Sequence, residues 1–350
     1  MATQGTLKIA MQGEPDSESL ALLYLSQQAT RPQVRRWLAE ADGARAAYVR
    51  HGEVPDWPPE ALAVTGIRVA TLFDDAYPEP LRHIPDPPLA LYYQGNLAVA
   101  QGPGIALVGA RRGTRLGLRI AETMGRELAA QGARVLSGLA LGIDGAAHEG
   151  ALASGVDGCA WAVLGSGLNN IYPREHQALA RRILDSGGAV ISEYPPDARP
   201  YRGHFPERNR LISGLAEAVV VVEASRRSGS LITARMAAEQ GREVFAVPGA
   251  VGNAVSAGCH WLIRQGAGLV ESAEDVLMEL GYGAQRRDSP TPPPQALMPV
   301  FAAVSATASP IDEIALAAGL PVEAVTGDLV QLELKGFVQL TPDGYIRVPR

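Results

Sequence analysis

Five segments of the chain combine small residues with arginines or hydroxyls in a pattern that suits an anion. They are Gly109-Ala110-Arg111-Arg112-Gly113-Thr114, Ser137-Gly138-Leu139-Ala140-Leu141-Gly142-Ile143-Asp144, Gly165-Ser166-Gly167, Arg208-Asn209-Arg210 and Glu223-Ala224-Ser225-Arg226-Arg227-Ser228-Gly229-Ser230. Small residues let a backbone approach an anion closely. A helix that opens just after such a turn presents unpaired N–H groups and the positive end of its dipole. Arginine adds a rigid fork of charge-assisted hydrogen bonds matched to phosphate oxygens. One such turn suits one phosphate, and several side by side suit a polyanion. The candidate contacts are therefore Arg111, Arg112, Ser137, Gly138, Arg208, Asn209, Arg210, Ser228, Gly229 and Ser230.

Other chemistries find little support. A dinucleotide fingerprint needs Gly-x-Gly-x-x-Gly, and Gly109-Ala110-Arg111 is a poor version of it. The next strand ends in Ser137-Gly138, not in the acidic residue that would hold a ribose. No Walker-type phosphate loop is present. Only Lys8 and Lys335 are lysines, so the central region has none to serve one. Cys159 and Cys259 stand alone, without metal-ligand or disulfide spacing, and are expected as two buried thiols. His176, His204 and His260 lack metal-ligand spacing as well, so neither a metal nor a cofactor is expected. His148 lies one helical turn after Asp144, a spacing that predicts a structural hydrogen bond. Gly165-Ser166-Gly167 lacks the spacing of a nucleophile elbow.

The elements around these turns set a frame. The chain has 350 residues, 47% of them hydrophobic and 19% charged, which marks it as globular and long enough for several domains. No apolar run reaches membrane-spanning length, and residues 1–18 lack a basic segment followed by an apolar core. A cytosolic protein is expected. The net charge of −6 excludes a generic polycation but not a local basic patch. From Gly104, strand-length apolar runs (105–108, 135–136, 160–164, 189–192, 219–223 and 244–247) alternate with helices near 115–130, 144–154, 174–186, 207–215, 230–240 and 259–266. This predicts an α/β fold with a doubly wound sheet, in which ligands bind beyond the carboxyl ends of the strands. The turns above follow those strands, so they share one rim. Residues 1–76 read as a small helical domain, 77–282 as the α/β domain, opening with a Pro-rich connector over 77–97 that ends in a short strand near 89–93, 283–296 as a linker, and 297–350 as three helices and a hairpin.

Many motifs in order resemble the DNA-processing protein A (DprA/Smf) family. They include Val108-Gly109-Ala110-Arg111, the Ser137–Asp144 segment, His148-Glu149-Gly150-Ala151-Leu152, Tyr172-Pro173, Ser192-Glu193-Tyr194-Pro195, Phe205-Pro206-Glu207-Arg208-Asn209-Arg210, Ser228-Gly229-Ser230-Leu231-Ile232-Thr233-Ala234 and Val247-Pro248-Gly249. The resemblance implies an extended Rossmann-like domain between an N-terminal sterile-alpha-motif-like domain and a C-terminal winged helix. It implies a non-catalytic recombination mediator that binds single-stranded DNA on the rim, protects incoming DNA and loads RecA during natural transformation. It also implies a homodimer formed through the Rossmann-like domain, and leaves room for contact with a single-strand-binding protein. Arg111 matches the family's phosphate-binding arginine, Ser137 and Gly138 its glycine turn, and Asn209 with Arg210 its Arg-Asn-Arg element. Two departures stand out: Glu207, and the missing domain lysine, for which Arg208, Arg202 or Arg174 could substitute.

A hydrolase of nucleoside monophosphates is the alternative, with Thr233 and Glu239 as its nearest match, though their spacing departs from that fold's pattern. A protein-binding scaffold leaves the row of anion turns unexplained. The winged helix looks unsuited to duplex DNA. Its third helix, near 321–335, carries Glu323, Asp328 and Glu333 against Lys335 alone, and would repel phosphates.

Overall fold

The computed structural model describes residues 22, 23, 26, 31–40, 44, 66–97, 102–282, 294–305, 308–334, 337–341 and 344–347. Residues 283–293 of the expected linker and most of the expected N-terminal domain lie outside the described residues, while Gln295–Leu297 form a single 3-10 turn. Two compact units are present, Met1–Gly283 and Ala284–Arg350.

The first unit is built on nine strands: β1 (Arg68–Thr71), β2 (Ala90–Gly95), β3 (Gly104–Val108), β4 (Arg134–Ser137), β5 (Ala160–Leu164), β6 (Ala189–Ser192), β7 (Ala218–Val221), β8 (Glu243–Ala246) and β9 (Gly268–Leu269). Their spatial order is β1-β2-β6-β5-β4-β3-β7-β8-β9. The pairs from β6 through β9 are parallel, whereas β2 pairs antiparallel with both β1 and β6. The α/β sheet expected from the sequence is therefore longer than its parallel core. β1 extends it, so the large domain reaches back past the boundary expected at residue 76.

Helices cover both faces, which explains why the central strands read as unbroken apolar runs. Ile105 and Leu107 of β3 face one core with Ala218 and Val220 of β7, while Ala106 and Val108 face the other with Val219 and Val221. The helices are α1 (Arg31–Glu40), α2 (Glu79–Arg82), α3 (Arg115–Ala130), α4 (Ile143–Ala153), α5 (Gln177–Asp185), α6 (His204–Leu215), α7 (Ser230–Glu239), α8 (Ala257–Arg264) and α9 (Ala273–Glu279). α3, α4, α5 and α9 supply Met124, Ala147, Leu179 and Val276 to the first core. α6, α7 and α8 supply Leu211, Ala234 and Leu262 to the second.

The topology fixes where a ligand can sit. From β3 the chain steps outward through β4, β5 and β6, then returns by way of α6 to β7 on the other side of β3. β3 and β7 are thus neighbours whose chains leave in opposite directions, and the gap beyond their carboxyl ends is a topological switch point. Gly142, at φ +84°, holds the turn after β4 close to the turn after β3; a Cβ there would lie 2.3 Å from the Ala110 carbonyl oxygen.

The second unit contains α10 (Met298–Ala303), α11 (Ile311–Ala318) and α12 (Val322–Leu334), followed by β10 (Val338–Thr341) paired antiparallel with β11 (Gly344–Arg347). Val300, Ile314, Leu329, Leu332 and Val338 form its core. Glu323 is exposed on α12, and Glu333 accepts a hydrogen bond from the Leu340 amide at 3.0 Å.

Candidate nucleic-acid interface

A cleft of about 710 Å³ opens at the switch point. The turn after β3 contributes Gly109, Ala110, Arg111 and Arg112, and the turn after β7 contributes Ser225, Ser228, Gly229 and Ser230. The first part of α6 and the residues before it supply Arg202, Phe205, Arg208 and Asn209, and Tyr172 closes one side. Candidates from turns far apart in sequence thus meet on one rim.

Arg111, Arg112 and Arg202 are exposed at the mouth. The Arg111 guanidinium lies 5.4 Å from the Phe205 ring centroid, and that ring is 5.5 Å from Tyr172. Phe205 is seated by the turn after β5: a Cβ on Gly165 would come within 2.8 Å of the ring. Gly165 thus makes room for an aromatic ring, and Gly167 for the Pro195 and Pro196 carbonyls, so this turn serves the fold and not a phosphate. Tyr172 and Phe205 stand in motifs singled out in the sequence, but neither ring is named as a contact there. Asn209 donates to the Gly229 carbonyl at 3.4 Å and braces the serine turn, where the Ser228 and Ser230 hydroxyls are 2.7 Å apart. Arg226 and Arg227 are exposed on the same turn but outside the cleft lining.

Several predicted contacts are committed to the fold itself. The Ser137 hydroxyl is buried and donates to the Leu107 carbonyl at 2.6 Å, so it ties β4 to β3 and cannot meet a phosphate. The Gly138 amide donates to Asp144 Oδ2 at 3.1 Å, which removes the N–H expected for an anion. The missing Gly138 side chain serves another purpose. A Cβ there would lie 2.6 Å from Arg208 Nη2 and 2.8 Å from Asp144 Oδ2. The glycine thus makes room for a buried acid and base. Arg210 points away from the cleft and pairs with Asp86 at 3.1 Å and Glu193 at 2.6 Å. On a helix, residues 208 and 210 lie about 200° apart around the axis, so they cannot share a face.

Arg208 lines the cleft floor but is almost wholly buried. It donates to the carbonyls of Gly138, at 3.1 Å, and Val163. Burial pushes its guanidinium down to about 10, with Asp144 opposing that shift, so it stays charged at neutral pH. Burial in turn pushes the Asp144 carboxyl up, against the Arg208 charge and the amides that hold it. With Arg208 held by backbone carbonyls on the floor, the arginines that line the cleft and remain exposed are Arg111, Arg112 and Arg202.

The first turn differs from expectation in the same way. Glu223 accepts from the Thr114 amide at 2.8 Å and from its hydroxyl at 2.6 Å, so an internal carboxylate already occupies the start of α3. Gly117 permits this, since a Cβ there would lie 2.2 Å from the Glu223 carboxyl carbon. His148 is fully buried and neutral, its imidazole driven down to about 3 by desolvation, then by His176. The Asp144 Oδ2 contact goes to the Gly138 amide, not to the expected His148. Thr233 and Glu239 do not converge. Thr233 is buried at the cleft, whereas Glu239 ends α7 exposed and pairs with Arg235 at 3.6 Å. Among the described residues no group of three His, Cys, Asp or Glu could hold a metal, and no helix is long and apolar enough to cross a membrane.

The family model for DNA recombination-mediator protein A matches residues 68–281. The chain belongs to the DprA family. A DprA winged helix model matches residues 284–344 as well. Protein Smf of Escherichia coli strain K12 is 44% identical over 288 residues, which cover 78% of this chain and 75% of that protein. DNA processing protein DprA of Bacillus subtilis is 41% identical over 245 residues, 68% of this chain and 82% of its own. The X-ray structure of DprA from Streptococcus pneumoniae aligns at TM-score 0.61 and 36% identity, over 76% of this chain and 94% of that one. DNA processing protein A from Helicobacter pylori, described with a unique single-stranded DNA binding mode, aligns at TM-score 0.54 and 30% identity, over 61% of this chain and 96% of that one.

Proposed function

We propose that this DprA-family protein binds single-stranded DNA along the cleft, without catalysis, and passes it to RecA during natural transformation. The observation that carries the reading is the set of exposed arginines Arg111, Arg112 and Arg202 around one opening, with Phe205 and Tyr172 beside them. Guanidinium groups meet phosphates, and ring faces accept bases of any sequence. Asn209, Ser228, Gly229 and Ser230 complete the contact at the start of α7, and Arg174 continues it beyond Tyr172 in an adjoining open groove. The H. pylori relative supports the ligand class. Delivery to RecA, protection of incoming DNA, a homodimer through the Rossmann-like domain, contact with a single-strand-binding protein and a cytosolic location rest on the family resemblance. The residue division 77–282, 283–296 and 297–350 belongs to the same proposal, with β1 added to the first.

Fluorescence anisotropy of an oligothymidylate and of a duplex, at about 50 and 200 mM salt, tests the reading. Tighter binding of the single strand, with a steep loss at the higher salt, is expected. Preference for the duplex, or affinity indifferent to salt, would remove the arginine cleft as the site. Release of free base from nucleoside monophosphates would replace binding by hydrolysis.

A further inference from the structure

α6 presents two flanks. One carries Phe205, Arg208 and Asn209 into the cleft. The other carries Glu207 and Arg210, one turn apart, into a cluster of charges that lies outside the cleft lining. Arg31, the first residue of α1, enters this cluster from more than a hundred residues away in sequence. Its guanidinium bonds both Glu193, just after β6, and Glu207 of α6, and lies 3.1 Å from Asp86. Arg35, one turn along α1, reaches Asp86 at 3.2 Å and the Pro87 carbonyl at 3.0 Å. Arg210 closes the cluster from beneath, on Asp86 and Glu193. Tyr194 adds a hydroxyl to Glu207 at 3.1 Å, while its ring stacks on His204 at 3.9 Å.

Arg31, Arg35 and Arg210 thus face Asp86, Glu193 and Glu207, and the cluster is neutral. Arg31 holds Glu193 and Glu207 on one guanidinium, and so ties α1 to a junction between the segment after β6 and α6 that Arg210 on Glu193 and Tyr194 on Glu207 also hold. Without it, the largely buried Glu193 keeps Arg210 but loses its second cation, and Glu207 keeps the Tyr194 hydroxyl but loses its ion pair. The excess negative charge then sits on the very helix that offers Arg208 and Asn209 to the cleft. Two carboxylates that lose a shared cation repel each other, and a shift of α6, which carries Glu207, relieves that repulsion.

We infer that Arg31 is a positioning residue for the cleft: by clamping Glu207 to Glu193 it sets the placement of α6, and so couples the N-terminal helix α1 to ligand binding. The inference rests on the DNA reading of the cleft for its ligand. Its geometry stands on the ion pairs.

The full-length chain tests it. Oligothymidylate affinity is measured for wild type, Arg31→Ala, Arg31→Lys, Glu207→Gln and Arg31→Ala with Glu207→Gln, with the melting temperature of each. Arg31→Ala should weaken binding about tenfold, in the range of couplings carried by residues that touch no ligand. Its salt dependence should match wild type, because no phosphate contact is lost. Arg31→Lys, which keeps the charge and loses the fork, should fall between the two. Adding Glu207→Gln should return the affinity close to that of Glu207→Gln alone. Wild-type affinity in Arg31→Ala, no rescue by Glu207→Gln, or a shallower salt slope would each overturn the inference. Hydrogen exchange over residues 204–211, without DNA, reads the helix directly. Faster exchange in Arg31→Ala is expected, and in Arg31→Lys if the alanine variant does not fold. Unchanged exchange would refute the clamp. If wild type bound no oligonucleotide but exchange rose as expected, the DNA reading would fail and the clamp would stand.

Discussion

Arg111, Arg112 and Arg202 lie exposed around the mouth of the cleft, while Arg208 and Arg210, from the helix between them, are nearly buried. The residue type is the same, yet the two sets are committed differently. The inner pair answers carboxylates of the fold itself: Arg208 answers Asp144, and Arg210 answers Asp86 and Glu193. The outer set faces the cleft mouth. The turns divide in the same way. Those after β3 and β4 are already served by Glu223 and Asp144, whereas the serine turn opening α7 is braced from its own side by Asn209. Internal carboxylates thus separate the arginines committed to the fold from those that stand exposed at the cleft.

The largest effect expected from this contrast is on stability. Arg208→Ala should cost about 3–5 kcal/mol, because Asp144 would be left buried without its cation. Denaturant unfolding measures it, and adding Asp144→Asn should recover part of the loss. A loss near zero would make Arg208 an outer arginine after all.

Next comes a pH effect behind Arg208. His148 has its imidazole at about 3 in the fold against 6.5 when exposed, so the unfolded chain binds the extra proton between those values. Its contribution is whole above pH 6.5 and is lost as pH falls toward 3. At pH 5 the loss is about 2 kcal/mol. Asp144, whose carboxyl is pushed up, acts in the opposite sense in both proteins, so comparing His148→Gln with wild type isolates the ring. Stability measured at pH 7 and 5 should fall less in His148→Gln. Equal falls would show the buried ring to be protonated already or exposed.

For the outer set, Arg111→Ala should weaken single-strand binding about tenfold for every sequence and lower the salt slope by about 0.7, with the melting temperature unchanged. An unfolding defect, or a loss confined to one sequence, would move Arg111 to the inner set. Ser137→Ala is the reverse case. It should cost about 1 kcal/mol of stability and leave DNA affinity as it was, since its hydroxyl is bound to Leu107. A small effect on DNA is also expected from deleting residues 291–350, whose α12 carries Glu323, Asp328 and Glu333. Affinity should change by less than about tenfold, and a larger drop would bring the winged helix into the interface.

Much of the frame was legible in the sequence. The six central strands and the helices between them fall within a few residues of the expected positions, because burial on both faces demands unbroken apolar runs such as Ala218–Val222. The edges were not. β1 and β9 are short, and β9 has only two residues, Gly268 and Leu269, too few to carry a pattern. Within the site, Arg111, Arg112, Asn209, Ser228, Gly229 and Ser230 do gather at one cleft, as their turns suggested. Ser137, Gly138 and Arg210, read as contacts from their turns and from the family resemblance, are engaged instead by Leu107, Asp144, and Asp86 with Glu193.

By itself, the sequence determined that glycine, serine and arginine follow strand after strand, because local composition and apolar period set the elements and the order of their turns. Which of those groups remains able to meet a phosphate was decided only by the tertiary structure. Hydrogen-bonding capacity and charge are finite, and the partners that use them up come from elsewhere in the chain: Glu223 reaches Thr114, Leu107 takes the Ser137 hydroxyl, and Arg31 reaches across to Glu193 and Glu207.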